Sequence, residues 1–500
     1  MTEYQTENLQ TNCLKCIAFN YDKFHIVFNS ATFDYFRTTI KAIQKLYSHR
    51  ILRMLAEQNK LKDEHLKFLI NKYTKQLNLQ YLASCEFSTI DERLQEIGSV
   101  VTAFSLSAIP KFYFSDCFLK HLTRIQVLEL PNTNTTDKSL EIISENCGEL
   151  KSLDVFGCEK VSDKGLKFLC QKKPPLESLN VEHTSVSYKG VAMILQRIST
   201  ISKLQFDNMP RAIFEAKGLN DIMGIDNGLI FKLNNLTVLN NPMRPENHLT
   251  SILEVCVESC PDIKDLVVSE IITPEQTQLI SQFENLETAY LQCSTIVSPK
   301  LGINGFLGIC GGKLRVLSLT SFSLSVEVLA SCCPNLECIT IQYPSFHEVN
   351  NPELSFPCLK MLNLQNVSLD SSENQISATS IISSSPNLQE LHIVHCQFSE
   401  VMREVILNCP KKLLILNFSN TPVATEFLEE ILHIHTDLVK LVLNNSGITS
   451  DDYDDLMDMV DDMESKVYIS WADYSEAIRE LFYHDDSIMN SRRKRYILKL

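Results

Sequence analysis

Between Ile125 and Leu443 the apolar and polar positions repeat one short pattern, Leu-x-x-Leu-x-Leu, thirteen times. Clean copies stand at Leu150-x-x-Leu153-x-Val155, Leu176-x-x-Leu179-x-Val181, Leu314-x-x-Leu317-x-Leu319, Leu359-x-x-Leu362-x-Leu364, Leu388-x-x-Leu391-x-Ile393 and Leu438-x-x-Leu441-x-Leu443. Weaker copies start at Ile125, Ile201, Leu236, Ile263, Leu286, Leu336 and Leu413. The end of each copy alternates apolar with polar, the period-two signature of a strand with one buried side. Most copies start about 22 to 29 residues apart, which leaves room for a helix or irregular return after each strand. Neither piece buries its apolar side alone, so successive units must stack.

That period and pattern predict an α/β leucine-rich-repeat solenoid: a curved horseshoe with a parallel concave sheet and helices on the convex side. Residues 1–73 read differently. Leu9, Cys13 and Ile17, then Ile40, Ile43 and Leu46, then Leu66, Leu69 and Ile70 fall at helical spacing, so this stretch is expected to be an N-terminal helical module. The repeat array is placed at 74–449, opening with two degenerate units whose strands should lie near Leu77-x-Leu79 and Phe104-x-Leu106. Residues 450–500 follow as an acidic helix capped by Ser450, a closing strand at Val467 to Trp471, and a basic tail. Three stretches break the rhythm. Met209 to Ile230 reads as an inserted loop or helix, Gln292 to Gly312 (Pro299 and five glycines) as irregular, and the serine-rich run from Ser371 to Ser385 as a flexible return. Each is either a binding insertion or ordinary loop variation.

Composition narrows the function classes. Five hundred residues, 44% of them apolar, can bury a large core in a repeat array, where each unit touches only its neighbours. A net charge of −15 argues against a nucleic-acid partner, which needs a basic face. Seventeen cysteines would suit a disulfide scaffold, yet Met1 to Asn12 is polar and no apolar run approaches 18 residues. Several cysteines recur at repeat positions (Cys147, Cys158, Cys170, Cys260, Cys333, Cys409), where free thiols act as small buried hydrophobes. The expectation is a cytoplasmic protein with no membrane partner. Arg492-Arg493-Lys494-Arg495 reads as a nuclear import signal or as a solvated tail.

Alternation carries the third, fifth and seventh positions of each repeat to the concave face. The early columns hold Glu129, Asp154, Glu182, Asp207 and Asp265 against Lys203. The middle columns hold Tyr290, Gln292, Ser318, Thr320, Thr340, Gln342, Asn363 and Gln365 without charge, and later ones Glu390, His392, Asn417, Lys440 and Asn444. The expected ligand is therefore a protein with a basic segment at one end and a neutral polar stretch beyond it. Solubility alone explains polar strand positions too, though less well their sorting. No cofactor, metal ligand set or catalytic group is expected. Cys13-x-x-Cys16 lacks a second pair at zinc distance, and Gly308-x-x-Gly311-Gly312 lacks phosphate-loop spacing.

One unit is more specific. Asn146-Cys147-Gly148-Glu149-Leu150-Lys151-Ser152-Leu153-Asp154-Val155-Phe156-Gly157-Cys158, continuing through Val161-Ser162-Asp163-Lys164-Gly165-Leu166 to Cys170, resembles the cysteine-containing repeat of substrate receptors in cullin-RING ubiquitin ligases. Leu9, Cys13 and Ile17 at i, i+4 and i+8 share one helix face. They resemble the BC box that docks Elongin C, and the stretch onward to Phe24 is similar to the VHL-box receptors of the zyg-eleven and zer-one family. The resemblance implies Elongin B and C and a cullin as partners, a protein as substrate, and a non-catalytic adaptor role. Asn8 departs from the box, no proline follows in Phe28 to Phe33, and the family's armadillo-like domain has no counterpart here. A plain capping helix, and a stand-alone scaffold or inhibitor, remain the other readings. A GTPase-activating repeat protein fits less well, because its asparagine turn position is filled irregularly.

Overall fold

The computed structural model describes residues 44–57, 60–78, 86–106, 116–218, 228–238, 247–294, 301–349, 354–368, 372–409, 413–462 and 467–471. Leu9, Cys13 and Ile17, and the basic stretch 492–495, lie outside them. The chain forms two compact units: the first reaches Val238 and takes in Glu258–Asp262, and the second holds the rest.

In the first unit, helices Ser48–Glu57, Asp63–Leu69 and Phe87–Ile97 accompany a parallel sheet. Its strands are β1 (Gln76–Asn78), β2 (Ala103–Ser105), β3 (Val127–Glu129), β4 (Ser152–Asp154), β5 (Ser178–Asn180) and β6 (Lys203–Gln205), paired in sequence order. β7 (Asn235–Val238) comes next, and the Asn235 amide clasps β6, accepting from the Leu204 N–H (3.0 Å) and donating to its carbonyl (3.1 Å). Helices Asp137–Asn146, Asp163–Lys172 and Tyr188–Arg197 separate the later strands. Each begins where a hydroxyl caps it: the side chains of Thr136, Ser162 and Ser187 accept from backbone amides of the first turn.

Between those helices runs a ladder of carboxylates. Asp116 accepts from the Ser139 hydroxyl (2.8 Å). Asp137 accepts from the Ser162 N–H (2.8 Å) and hydroxyl (2.7 Å) and from the Gly165 N–H (3.0 Å). Asp163 accepts from the Ser187 N–H (2.7 Å) and hydroxyl (2.6 Å). Gly165 has to be small: a methyl group there would stand 2.7 Å from Asp137 Oδ1 and from Leu140 Cδ1. Each repeat thus caps the next.

The second unit repeats the plan with longer strands. β8 (Asp265–Ile271), β9 (Thr288–Cys293), β10 (Val316–Thr320), β11 (Ser323–Leu324), β12 (Cys338–Gln342), β13 (Ser345–Phe346), β14 (Met361–Gln365), β15 (Glu390–Val394), β16 (Ile415–Asn417), β17 (Lys440–Val442) and β18 (Tyr468–Ser470) follow one another. β11 and β13 pair apart as a small second sheet; the rest are parallel neighbours in the main one. Twelve of the thirteen repeats carry a strand where the leucine pattern places it; β7 follows Leu233-x-x-Leu236-x-Val238, three residues before the copy read at Leu236, and β18 pairs with β17 as the closing strand.

Three expectations change. Gln292 to Gly312 contains a helix, Asn304–Cys310, and a 3-10 turn at Gly311–Lys313, where Gly311 lets Cys333 Sγ approach to 2.7 Å of a would-be Cβ. The serine-rich stretch is a helix, Ser372–Ser383, with Ser377, Ala378, Ile381 and Ile382 buried. Its hydroxyls back-bond instead of breaking the turn: Thr379 donates to the Gln375 carbonyl (2.8 Å) and Ser385 to that of Ile381 (2.6 Å). The acidic helix Ser450–Asp462 is capped by Thr449, whose hydroxyl accepts from the Asp452 N–H (3.2 Å), so Ser450 lies inside it.

The core is the stacked leucine columns. Leu128, Leu179, Leu317, Leu362, Leu391, Leu416 and Leu441 are fully buried. Each contributes about 1.5–3 kcal/mol by leaving water. The fourteen cysteines among the described residues are free thiols. Burial pushes the thiols of Cys147, Cys260, Cys333 and Cys409 up to about 12, so they are packing groups rather than nucleophiles.

His435 caps helix Thr425–Ile434 at 1% exposure. Its Nε2 donates to the Ile406 carbonyl (3.1 Å), and Nδ1 has no partner among the described residues. Burial holds its pKa below the ordinary 6.5. The unfolded chain therefore takes a proton near pH 6.5 that the fold resists. Stability should be full above that pH and fall below it, by at most about 1.4 kcal/mol per pH unit. Denaturation midpoints measured from pH 7.5 to 5 should show the fall, and His435→Leu should flatten it; an equally steep His435→Leu profile would remove His435 as its source.

Candidate partner-binding surface

In the first unit most strands are three residues long, so alternation exposes two columns. One holds Gln76, Ala103, Val127, Ser152, Ser178 and Lys203; the other holds Asn78, Ser105, Glu129, Asp154, Asn180 and Gln205. Glu129 and Asp154 stand in register on that face. Glu129 accepts from the Ser105 hydroxyl (2.6 Å), and Asp154 from the Phe156 N–H (2.8 Å).

The other two early acids are placed differently from the expectation. Glu182 is 8% exposed and off the face. The cause is the fifth position of its repeat: Asn180 Oδ1 accepts the Glu182 N–H (3.1 Å), which ends the strand before alternation reaches the seventh. Asp154 ends β4 the same way, and Asn417 ends β16 by accepting from Ser419 (2.9 Å). Asp207 is exposed on the loop after β6, where it accepts the His183 N–H (2.9 Å). Beside it the His183 ring stands edge-on to Phe156 at 5.0 Å. In the first unit the acidic early columns thus reduce to Glu129 and Asp154.

In the second unit β10, β12, β14 and β15 run five residues, and three columns reach the face. The central one is Val267, Tyr290, Ser318, Thr340, Asn363, His392, Asn417, Val442 and Ser470, in register strand by strand. Its members carry no carboxylate, lysine or arginine. Asp265 opens the column beside it, in register with Thr288.

Two polar atoms of the central column have no partner among the described residues: the Tyr290 hydroxyl and Asn363 Oδ1, both covered by neighbouring atoms. Burial, with Asp265 and Cys338 nearby, pushes the Tyr290 phenol well above the ordinary tyrosine value, so it remains a donor. Further along, Asn417 Nδ2 donates to His392 Nδ1 (3.2 Å), which leaves the ring proton on Nε2, 3.6 Å from Glu390. Tyr290, Asn363 and His392 share this one column by strand register.

Some of the surface was missed in the sequence. The eighth residue of the repeats recurrently takes left-handed backbone, at Asn132, Gly157, His183, Ser321, Tyr343, Asn366, His395, Asn420 and Asn445. Asn and Gly at the eighth repeat position were the available signal. Among the described residues no group of three His, Cys, Asp or Glu could hold a metal ion, and no helix is long and apolar enough to cross a membrane.

Parallel ladders, buried leucine columns and the repeat period together define a leucine-rich-repeat protein. No family model and no curated protein matches the chain. Similar solved structures include a chain of the yeast Rad7 and Elc1 complex, with 12% identity and a TM-score of 0.38, covering 87% of this chain and 92% of that one. An internalin (inlF) from Listeria monocytogenes shows 15% identity and a TM-score of 0.36, covering 77% and 89%. A leucine-rich-repeat protein of Leptospira interrogans shows 15% and 0.36, covering 76% and 91%.

Proposed function

We propose that this leucine-rich-repeat protein binds another protein on the strand face of its second unit and serves as the substrate-recognition subunit of an Elongin B/C and cullin ubiquitin ligase. The observation that carries the binding half is the central column, continuous from Val267 to Ser470 and free of carboxylate, lysine and arginine side chains. The Tyr290 hydroxyl and Asn363 Oδ1 within it lack partners among the described residues, at a cost of about 1–3 kcal/mol each; both are covered, so a partner's polar groups would relieve that cost only by turning these side chains outward. The ligase half rests on sequence: Leu9, Cys13 and Ile17 on one helix face, and the cysteine-containing repeat at 146–170.

The two halves separate experimentally. Leu9→Ser with Cys13→Ser should strip Elongin B, Elongin C and the cullin from the purified protein while its substrate stays bound. Tyr290→Phe with Asn363→Leu should do the reverse, weakening substrate capture about tenfold. Tyr290→Phe alone should leave stability unchanged or raise it by about 1 kcal/mol, since it removes a covered, unpaired hydroxyl. Absence of Elongin from the wild-type pull-down would leave the stand-alone scaffold, and substrate capture indifferent to Tyr290 and Asn363 would move the binding face elsewhere.

A further inference from the structure

A second surface of the second unit lies at the strand starts, apart from the face. The residue two places before each buried strand leucine hands its carbonyl to the next repeat: Lys264 to Glu287, Glu287 to Arg315, Arg315 to Glu337, Glu337 to Lys360, Lys360 to Gln389, Gln389 to Leu414, and Leu414 to Val439. This backbone ladder sets the side chains in one row, about 4.8 Å from strand to strand. The row is sorted. Its first half alternates in charge, with Lys264 on Glu287 (2.7 Å), Arg315 Nε on Glu337 Oε1 (2.6 Å) and Lys360 on Glu337 Oε2 (2.7 Å). Past Gln389 it becomes apolar: Leu414, Val439 and, one place further along its strand, Tyr468, with exposures of 36%, 55% and 65%.

At the charged half a cavity of about 510 Å³ opens, lined by Lys313, Arg315, Lys360, Glu337, Cys358 and Gln389 among others. Three cations there face one carboxylate. Glu337 spends both oxygens on Arg315 and Lys360, and its side chain is less exposed, 24% against 59% and 53%. The cations therefore project past it into solvent. In a chain of net charge −15 this is a local positive pocket, and it is continuous with an exposed apolar strip.

We propose that this row is a docking surface for an extended acidic-and-apolar segment of a partner protein, one or two carboxylates seated between Lys313 and Lys360 and apolar side chains on Leu414, Val439 and Tyr468. Spacing sets the motif. From Lys360 the apolar positions lie about two, three and four strand spacings away, ~10, ~14 and ~19 Å, which an extended chain covers in about three to six residues. The pocket supplies charge-assisted hydrogen bonds, which orient the segment, and the strip supplies burial. This surface adjoins the strand face at Tyr468, which stands in register with Lys440 there, but it uses no residue of the central column.

The test uses the full chain and a fluorescein-labelled synthetic peptide with two adjacent glutamates, followed three and five positions on by Leu and Phe. Control peptides carry Gln for both Glu, or Ser for both apolar residues. Fluorescence polarisation should give a Kd of about 10–100 µM for the parent peptide at low salt, and about tenfold weaker binding for each control. Lys313→Gln with Lys360→Gln, and Val439→Ser with Tyr468→Ser, should each weaken the parent about tenfold; all four side chains are exposed, and matching thermal melts would check the fold. Raising salt should weaken the glutamate peptide and leave the Gln control unmoved. Tyr290→Phe should change nothing, which separates this surface from the face. No binding at about 1 mM, or binding indifferent to both double variants, would overturn the proposal.

Discussion

Phe418→Ala is expected to lower the stability of the second unit by about 3–5 kcal/mol, the range for emptying a buried aromatic site. Phe418 is fully buried at the sixth repeat position, where most other copies carry Leu, Val or Ile. It closes an aromatic cluster, 5.7 Å from Phe398 and 5.9 Å from Phe427, with Phe398 and Phe427 at 4.8 Å. Arg403 reaches over the Phe427 ring and pairs with Glu430 (2.8 Å), so the helix side of the cluster is held as well. Those contacts resist collapse into the cavity, and the loss should sit at the upper part of the range. Stacked repeats depend on nearest neighbours, so hydrogen exchange should quicken first between Glu390 and Val442. Phe418→Leu keeps most of the volume and should cost less than about 1.5 kcal/mol. An alanine variant within about 1 kcal/mol of wild type would mean the three rings are not packed this way.

Asp137→Ala should be the second large loss, about 2–4 kcal/mol in the first unit, because one carboxylate accepts two backbone amides and a hydroxyl from the next repeat. The alanine leaves the Ser162 and Gly165 amides without that acceptor. Asp137→Asn retains one oxygen and should lose about half as much. The sharper measurement is a cycle with Gly165→Ala. Alone, that change should destabilise even though alanine favours helix by about 1 kcal/mol, since its methyl meets Asp137 Oδ1. Once Asp137 is alanine the Oδ1 obstruction is gone and the Leu140 contact remains, so the same change should cost less than it does alone. Urea midpoints for the four proteins give the coupling; simple additivity would contradict the ladder.

Much of this was legible beforehand. The apolar pattern placed the repeat strands, including the degenerate ones at Leu77 and Phe104 and the closing one at Ile469, because burial on one side of a strand writes its period directly into the chain, but it set β7 three residues late, at Leu236 instead of Leu233. The serine-rich helix was not legible. Serine reads as a loop former on its own, and only the apolar bed under Ala378, Ile381 and Ile382 makes a helix the better choice. The candidate face was half legible: alternation put Tyr290, Asn363 and His392 in one column but failed at Glu182, which the Asn180 side chain turned aside.

By itself the sequence determined what periodicity controls: the stacked strands, the buried leucine and cysteine columns and the closing strand. Only the tertiary structure decided which polar residues are surface and which are fittings. Asp154 ends its own strand within two residues, but Asp137 grips a repeat 25 residues on, Asp207 holds a loop 24 residues back, and Glu337 joins cations from the repeats on either side. Most such contacts are set by atoms about one repeat away, brought within 3 Å by stacking, and a linear pattern does not carry that distance.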